Sequence, residues 1–408
     1  MVEAGVIVVG GGQGGFQVAA SLREEGYPGR ITLIGDEPGL PYQRPPLSKG
    51  FLAGKAHAQH LELRPPAFYA EQDIALRVPE RVTSIDRAAR RVDLASGGSL
   101  AYEHLVLATG ARARIPTVHG TDLFGILPLR SRADAQAMLD LLPEVRRLVV
   151  VGGGFIGLEV AAMGTDMGLD VRVIEVADRV LKRCVSAEVS THLAGAQAKR
   201  GVQFSFESSV IAFTGREGRV SHVQTSRGDR FHADLVVVGV GVEPNVELAR
   251  DAGLPVRDGI VVDSHLRTAD PAISAIGDCA RYPAAWCAAS VRLESVQNAV
   301  DQARCVAARL AGKAEPYAKV PWFWSDQGDH RLQIAGVSEA GDSAVLRGDR
   351  GSGKFSVFRF RAGRLSAVES INNAADHMAA RKLLAAGASI TPEQVADVSL
   401  KLTSLLAP

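Results

Sequence analysis

No run of the chain reaches the ~18 consecutive apolar residues that a membrane-spanning helix requires. Cysteine is scarce. The four in 408 residues, Cys184, Cys279, Cys287 and Cys305, are widely spaced and form no Cys-x-x-Cys, too few for a disulfide-stapled secreted scaffold. Neither charge sign dominates: 46 Lys and Arg face 45 Asp and Glu, for a net charge of +1. That balance argues against a nucleic-acid-coating or strongly membrane-attracted surface, although a local basic patch stays open. A basic leader followed by a cleavable apolar segment is also lacking, since Met1 to Val9 lead directly into a strand. The expectation is a soluble, cytoplasmic protein with no nucleic-acid, membrane or metal partner.

What is present is ordinary globular composition, 46% hydrophobic and 22% charged, in a chain longer than the roughly 250–300 residues one core usually serves. Two or three domains are expected. Val6 to Val9 form a short continuous apolar run, the pattern of a strand buried on both faces of a parallel sheet. Gly10, Gly12 and Gly15 follow in G-x-G-x-x-G spacing, Phe16 to Glu25 carry helical periodicity, and Ile31 to Ile34 resume as a strand ending at Asp36. In this fingerprint the first glycine allows a tight turn, the second lets backbone approach a pyrophosphate, and the third lets helix and strand pack closely. The helix N-terminus then offers unpaired N–H groups to phosphate.

The unit returns with Leu148 to Val151, Gly152, Gly154 and Gly157, and a strand Val171 to Ile174 ending at Glu175. One such match is weak evidence; two, each followed by an acid at the right strand end, imply two dinucleotide sites. Leu105 to Ala108 running into Thr109-Gly110, and Leu235 to Val238 running into Gly239-Val240-Gly241, mark where the chain leaves one nucleotide domain and returns to it. Ile273 to Ile276, Gly277-Asp278-Cys279-Ala280 and a helix from about Glu294 to Leu310 complete the first domain. Beyond Pro316, strands are predicted at Trp322 to Asp326, Leu332 to Gly336, Ala344 to Arg347, Phe355 to Phe360 and Leu365 to Ile371, with helices at Ala374 to Ala386 and after Pro392. The expected architecture is α/β: a discontinuous Rossmann-like domain of 1–114 and 244–315, a second one of 115–243 inserted in it, and a C-terminal α+β domain of 316–408.

Several segments are more specific than the glycines: Gly35-Asp36-Glu37-Pro38, Pro41-Tyr42-Gln43-Arg44-Pro45-Pro46-Leu47-Ser48-Lys49, Ile276-Gly277-Asp278-Cys279-Ala280, Glu294-Ser295-Val296-Gln297-Asn298-Ala299 and Pro321-Trp322-Phe323-Trp324-Ser325-Asp326. With Leu107-Ala108-Thr109-Gly110 and Gly152 to Glu159, they span nearly the whole chain. In this the chain resembles the FAD-dependent ferredoxin reductases that use pyridine nucleotide, the putidaredoxin reductase and biphenyl dioxygenase ferredoxin reductase group, with its glutathione-reductase-like flavoprotein architecture. The resemblance implies FAD in the first site and NAD in the second, with a 2Fe–2S ferredoxin as electron acceptor and a cytochrome P450 or Rieske oxygenase beyond it.

Residue by residue, the resemblance implies Gly14, Asp36, Lys49, Val82, Arg130, Asp278 and Val296 as FAD contacts. Asp36 can accept from ribose hydroxyls, or be a solvated turn acid. Lys49 can place an ammonium at the flavin edge, or lie on the surface after a Pro-rich turn. Asp278 can bond a ribityl hydroxyl, or cap the segment that follows. Trp324 is the aromatic residue the family sets beside the flavin ring, though strand packing also explains a Trp. The cofactor side also takes in Thr109 and Gly241. In the second site Glu175 would bond both adenosine ribose hydroxyls and repel a 2′-phosphate, favouring NADH. Arg179 and Arg183 lie near it, and Arg183 matches a family position at the adenosine end. Phe155 and Ile156 follow the glycines where the family shields the flavin. Glu159 is placed in the first helical turn, where the helix dipole favours a carboxylate, and the resemblance adds contact with the nicotinamide pocket. Lys49, Glu159 and Trp324 are the residues assigned to catalysis.

Hydride from NADH would enter the flavin and electrons would leave singly, so no general base is needed. Rival readings are a dithiol flavoprotein reductase, an NADH oxidase and an NADH-binding signalling flavoprotein. The first two lack their cysteine near residues 35–60, and turnover with a ferredoxin separates the third. Arg304 and Lys401 match positions that the family turns toward its ferredoxin, the alternative for each being an ordinary solvated helix charge.

Overall fold

The computed structural model describes residues 4–284, 286–287 and 289–406, so the first residues of the opening segment and the last two of the chain lie outside the description. The chain forms two compact units, Met1–Gln43 with Gln59–Arg112 and Glu243–Lys319, and Arg44–Ala58 with Ala113–Val242 and Val320–Pro408.

In the first unit the strand Gly5–Val9 is buried along its length and pairs in parallel with Ile31–Ile34 on one side and Ser99–Leu107 on the other. Ile74–Arg77 extends the sheet beyond Ile31–Ile34, and Ile273–Ala275 pairs in parallel with the end of Ser99–Leu107. Continuous Val, Ile and Leu runs suit these positions because both faces are covered. Helix Gln13–Glu24 packs against Val296–Leu310, and a side chain at Gly14 would stand 3.6 Å from the Ala299 methyl. That is ordinary van der Waals contact, so packing between the helices does not by itself demand glycine at position 14. Val296–Leu310 starts where Ser295 Oγ accepts the Asn298 amide, a standard N-cap. Where the chain leaves and re-enters this unit, Thr109 Oγ1 donates to the Asn245 carbonyl at 2.7 Å and the Asn245 amide returns a bond to the Thr109 carbonyl at 2.8 Å.

The second unit holds a five-stranded parallel sheet in the order Gln203–Ser205, Asp170–Ile174, Arg147–Val151, Leu235–Val238, Ile126–Pro128. Helices Phe155–Asp166 and Ala187–Lys199 belong to it, as does a three-stranded antiparallel sheet of Val210–Arg216, Arg219–Thr225 and Arg230–His232. The C-terminal part is a five-stranded antiparallel sheet ordered Trp322–Gln327, His330–Gly336, Arg364–Ile371, Lys354–Arg361, Ser343–Asp349, followed by helices Ala374–Ala386 and Pro392–Ala396.

The compact units differ from the expected division, which placed 44–58 with the first nucleotide domain and 316–408 apart. Leu158, Val189 and Leu193 share one core with Leu332, Phe355, Val357 and Ile371, so the C-terminal sheet closes on the helices of the second parallel sheet. Burying such side chains stabilises by roughly 1.5–3 kcal/mol each, enough to bind the two sheets into one body. Residues 44–58 join that body through Ser48 and Lys49, whose partners are described next.

Candidate functional site

Both glycine turns are built to the same plan. Gly10 has φ +121°, and a Cβ there would fall 2.1 Å from the Ala108 carbonyl oxygen; one at Gly15 would fall 1.9 Å from the Gly10 oxygen. In the second turn Gly152 has φ +105° and Gly157 would collide with the Gly152 oxygen at 2.1 Å. The outer glycines are therefore required by the fold itself. The middle ones are not: a Cβ at Gly12 meets nothing within 4 Å, and at Gly154 only the Gly239 oxygen at 3.9 Å. Gly12 and Gly154 are the N-caps of helices Gln13–Glu24 and Phe155–Asp166, and neither helix has a side-chain cap. Free helix N–H groups opening on unfilled space suit a pyrophosphate in each turn.

Glu159 is the most tightly held carboxylate near the second turn. Its side chain is 3% exposed, with Oε2 2.7 Å from Lys49 Nζ. Ser48 Oγ donates to the same oxygen, and Ser325 Oγ donates to Oε1 at 2.7 Å. Lys49 Nζ also donates to the Pro45 carbonyl at 3.2 Å. The Pro-rich segment brings these donors in because Pro45–Ser48 closes a short 3-10 turn that buries Leu47 and Ser48. The expectation for Glu159 needs correction. The helix begins at Phe155 and has no acid in its first turn, so Glu159 sits beyond it, and three side-chain donors rather than the helix dipole hold the carboxylate. Lys49 is not the surface lysine considered from sequence. Ser48 and Ser325 were not singled out, although each adjoins a chosen residue in a specific motif.

Glu175 closes the second nucleotide turn. Its Oε2 accepts the Gly153 N–H at 2.6 Å and its Oε1 accepts the Ala177 N–H at 2.8 Å, which aims the carboxylate beside the glycines. Arg179 is committed elsewhere: its guanidinium donates to the carbonyls of Lys182, Val185 and Ser186. Arg183 is exposed. Phe155 packs against Phe323 with ring centroids 4.5 Å apart and planes tilted by 47°, Ile156 is 41% exposed, and the rings of Trp324 and Trp322 lie 5.5 Å apart.

Comparison with known proteins follows this geometry. Residues 4–303 match the family described as pyridine nucleotide-disulphide oxidoreductase, and residues 322–406 match a reductase C-terminal family. The chain belongs to the pyridine nucleotide-disulphide oxidoreductases. It is 49% identical to rhodocoxin reductase of Rhodococcus erythropolis, over 98% of this chain and 94% of the relative. It is 40% identical to putidaredoxin reductase of Pseudomonas putida, over 98% and 96%. Among solved structures, the ferredoxin reductase for the CYP199A2 system from Rhodopseudomonas palustris superposes with a TM-score of 0.97 at 48% identity, covering 99% of this chain and all (100%) of that one.

Neither Cys279 nor Cys305 takes part in a disulphide of the kind the family's description names. Cys279 is buried, its Sγ donates to the Ile276 carbonyl at 3.2 Å, and burial pushes its thiol above the usual range. Such a thiol is inert. Among the remaining residues named from sequence, Asp36 pairs with Arg81 at 2.8 Å, both more than half exposed. Val82 is 5% exposed and pairs with Leu94. The Thr109 hydroxyl is spent on Asn245. Asp278 lies in the short 3-10 turn Gly277–Cys279, and Val296 is the first residue of its helix. The Arg130 carbonyl accepts from Arg44 at 2.8 Å, and Gly241 has φ +103° with open space beside it. Gly10, Gly12, Gly14, Gly15, Asp36, Val82, Thr109, Asp278 and Val296 belong to the first unit, whereas Lys49, Arg130, the second turn, Trp324 and Gly241 belong to the second. No helix among the described residues is long and apolar enough to cross a membrane, and none of those residues forms a cluster able to hold a metal.

Proposed function

We propose that this chain is an FAD-dependent NADH:ferredoxin reductase, passing electrons one at a time to a 2Fe–2S ferredoxin that serves a cytochrome P450 or Rieske oxygenase. The observation that carries the reading is the convergence of the two most specific segments, Pro-Pro-Leu-Ser-Lys and Pro-Trp-Phe-Trp-Ser-Asp, on the buried carboxylate of Glu159. Full-length likeness to reductases of both kinds of oxygenase system supports it, including the anthranilate 1,2-dioxygenase system ferredoxin–NAD(+) reductase component of Burkholderia cepacia at 43% identity.

The first turn, with Asp36, Asp278 and Val296, would hold FAD. The second turn, with Glu175 and Arg183, would hold NADH. FAD would supply the conversion of a hydride's two electrons into single-electron transfers. The chain's own residues bind and orient: Gly12 and Gly154 leave room for pyrophosphate, and Glu175 accepts ribose hydroxyls while its charge repels a 2′-phosphate. Ser48 and Ser325 hold Glu159 so that Lys49 keeps a fixed position, and Phe155 with Phe323 excludes water from the start of the helix. Scarce cysteines without a Cys-x-x-Cys pair support a reducing, cytoplasmic compartment.

The test is NADH-driven reduction of purified 2Fe–2S ferredoxins by the yellow holoprotein, alongside a variant with all four cysteines replaced. Fast ferredoxin reduction that survives loss of the cysteines is expected. A colourless protein that takes up no FAD, or activity abolished with FAD content intact in the cysteine-free variant, would overturn the proposal.

A further inference from the structure

Glu369 is fully buried in the strand Arg364–Ile371, and both its oxygens are in use. Oε2 accepts the backbone N–H of Ser186 at 2.7 Å, and Oε1 lies 3.3 Å from Nη1 of Arg359, itself only 8% exposed. Arg359 is anchored in turn by donating to the Asp342 carbonyl at 2.9 Å. A buried ion pair is a poor way to stabilise a sheet, since apolar residues of similar volume serve as well or better. Its value here lies in what it reaches.

Ser186 is the N-cap of the 13-residue helix Ala187–Lys199 and the last residue of the loop that starts after Glu175. That loop is framed at three points. Leu181 N–H donates to the Gly153 carbonyl in the second glycine turn at 3.0 Å, and Ser190 Oγ holds the Val180 carbonyl at 2.6 Å. Arg179 ties the carbonyls of Val185 and Ser186 back into the loop. Through Ser186, Glu369 joins this frame to the C-terminal sheet.

We propose that Glu369 is a positioning residue for the pyridine nucleotide: from the C-terminal sheet it fixes the 176–186 loop, and through it Glu175 and Arg183, at the adenosine end of the second glycine turn. This rests on the proposed NADH site. It implies that the C-terminal sheet sets nucleotide affinity without touching the nucleotide.

The experiment compares wild-type holoenzyme with E369L, E369Q and E175A. Three quantities are read: KM and kcat for NADH with ferricyanide, the Kd for NAD⁺ by calorimetry, and amide hydrogen exchange of residues 176–190. Loss of one charge-assisted hydrogen bond implies a roughly tenfold rise in KM and Kd for E369L with kcat within about twofold, and faster exchange at Ser186. E369Q keeps an acceptor for the Ser186 N–H and the shape of the side chain, so a smaller rise of about threefold is expected even if E369L fails to fold. Unchanged Kd and exchange in E369Q, or a fall in kcat at constant KM in either variant, would overturn the proposal. If E175A also leaves Kd unchanged, the nucleotide assignment itself has failed. If E175A raises Kd while the Glu369 variants do not, only the role of Glu369 has failed.

Discussion

Nζ of Lys49 stands 2.7 Å from Oε2 of Glu159, and the lysine side chain is 24% exposed against 3% for the glutamate. Removing the lysine alone strands a buried carboxylate with two hydroxyl donors. Breaking a buried pair costs about 3–5 kcal/mol, and the partial exposure of Lys49 lowers that to about 2–3 kcal/mol for Lys49→Met. Lys49→Met with Glu159→Gln should recover much of the loss. Urea unfolding of the four proteins in the cycle checks it; strict additivity would show that the pair is not coupled.

Nucleotide preference should follow Glu175. Placing a 2′-phosphate beside this carboxylate and losing a ribose contact costs on the order of 1–3 kcal/mol, or at least ~10-fold in kcat/KM for NADH over NADPH. Glu175→Ala narrows the ratio. Arg179→Ala leaves the ratio of NADH to NADPH efficiency unchanged, because its guanidinium is already bound to three carbonyls. Equal wild-type efficiency with both nucleotides would mean that Arg183 overrides the acid.

Acid should destabilise the second unit through His377. The ring is 1% exposed, neither nitrogen has a hydrogen-bond partner among the described residues, and it lies 6.0 Å from Trp322. Burial first, then Arg381 and Arg331, push its pKa from 6.5 down to about 4. The unfolded chain therefore takes up a proton below pH ~6.5 that the folded chain refuses until about pH 4. This contribution to stability is complete above pH ~6.5 and is lost across that window at up to ~1.4 kcal/mol per pH unit. His104, lowered to about 3 by burial and Arg309, acts in the same direction in the first unit. Urea midpoints of wild type and His377→Leu between pH 7.5 and 4.5 decide the matter, the variant being expected to lose less stability; parallel curves would rule out His377.

Ferredoxin docking should be salt-dependent. Arg304 is 60% exposed and only 3.6 Å from Asp301, and Lys401 is exposed near the end of the chain. With an acidic partner, Arg304→Glu and Lys401→Glu are each expected to slow ferredoxin reduction several-fold at low salt, while ferricyanide turnover barely changes. The difference should shrink near 1 M salt, where the Debye length is about 3 Å. Unchanged kinetics in both variants at low salt would place docking elsewhere.

Much of the fold was legible because the buried parallel strands are short apolar runs bounded by glycine or charge. Ile31–Ile34 and Leu235–Val238 lie on the expected residues, each buried at all four positions. Ser99–Leu107 is longer than the run Leu105 to Ala108, because its first half pairs antiparallel with Arg91–Leu94 and carries polar residues. The three strands from Val210 to His232 had no counterpart in the reading, since partial burial on one face leaves no continuous apolar signal. At the site, Lys49 and Glu159 were both chosen, yet nothing in their types says that they meet. Ser48 and Ser325 stayed hidden for a related reason: a serine hydroxyl reads the same whether it faces water or completes a buried carboxylate.

The strand order also has a consequence in time. The parallel sheet of the second unit draws all five strands from one continuous stretch, Ile126 to Val238. The end of Ser99–Leu107, by contrast, waits for Ile273–Ala275, and until that segment leaves the ribosome one side of Leu105–Leu107 has no neighbour. The middle of the chain is therefore the first part able to complete a sheet during synthesis, and the sheet begun at the N-terminus must hold an open edge while it does so. An open edge is a template for pairing with other chains. Slowing translation between residues 113 and 272 would lengthen that exposure and should lower the soluble yield.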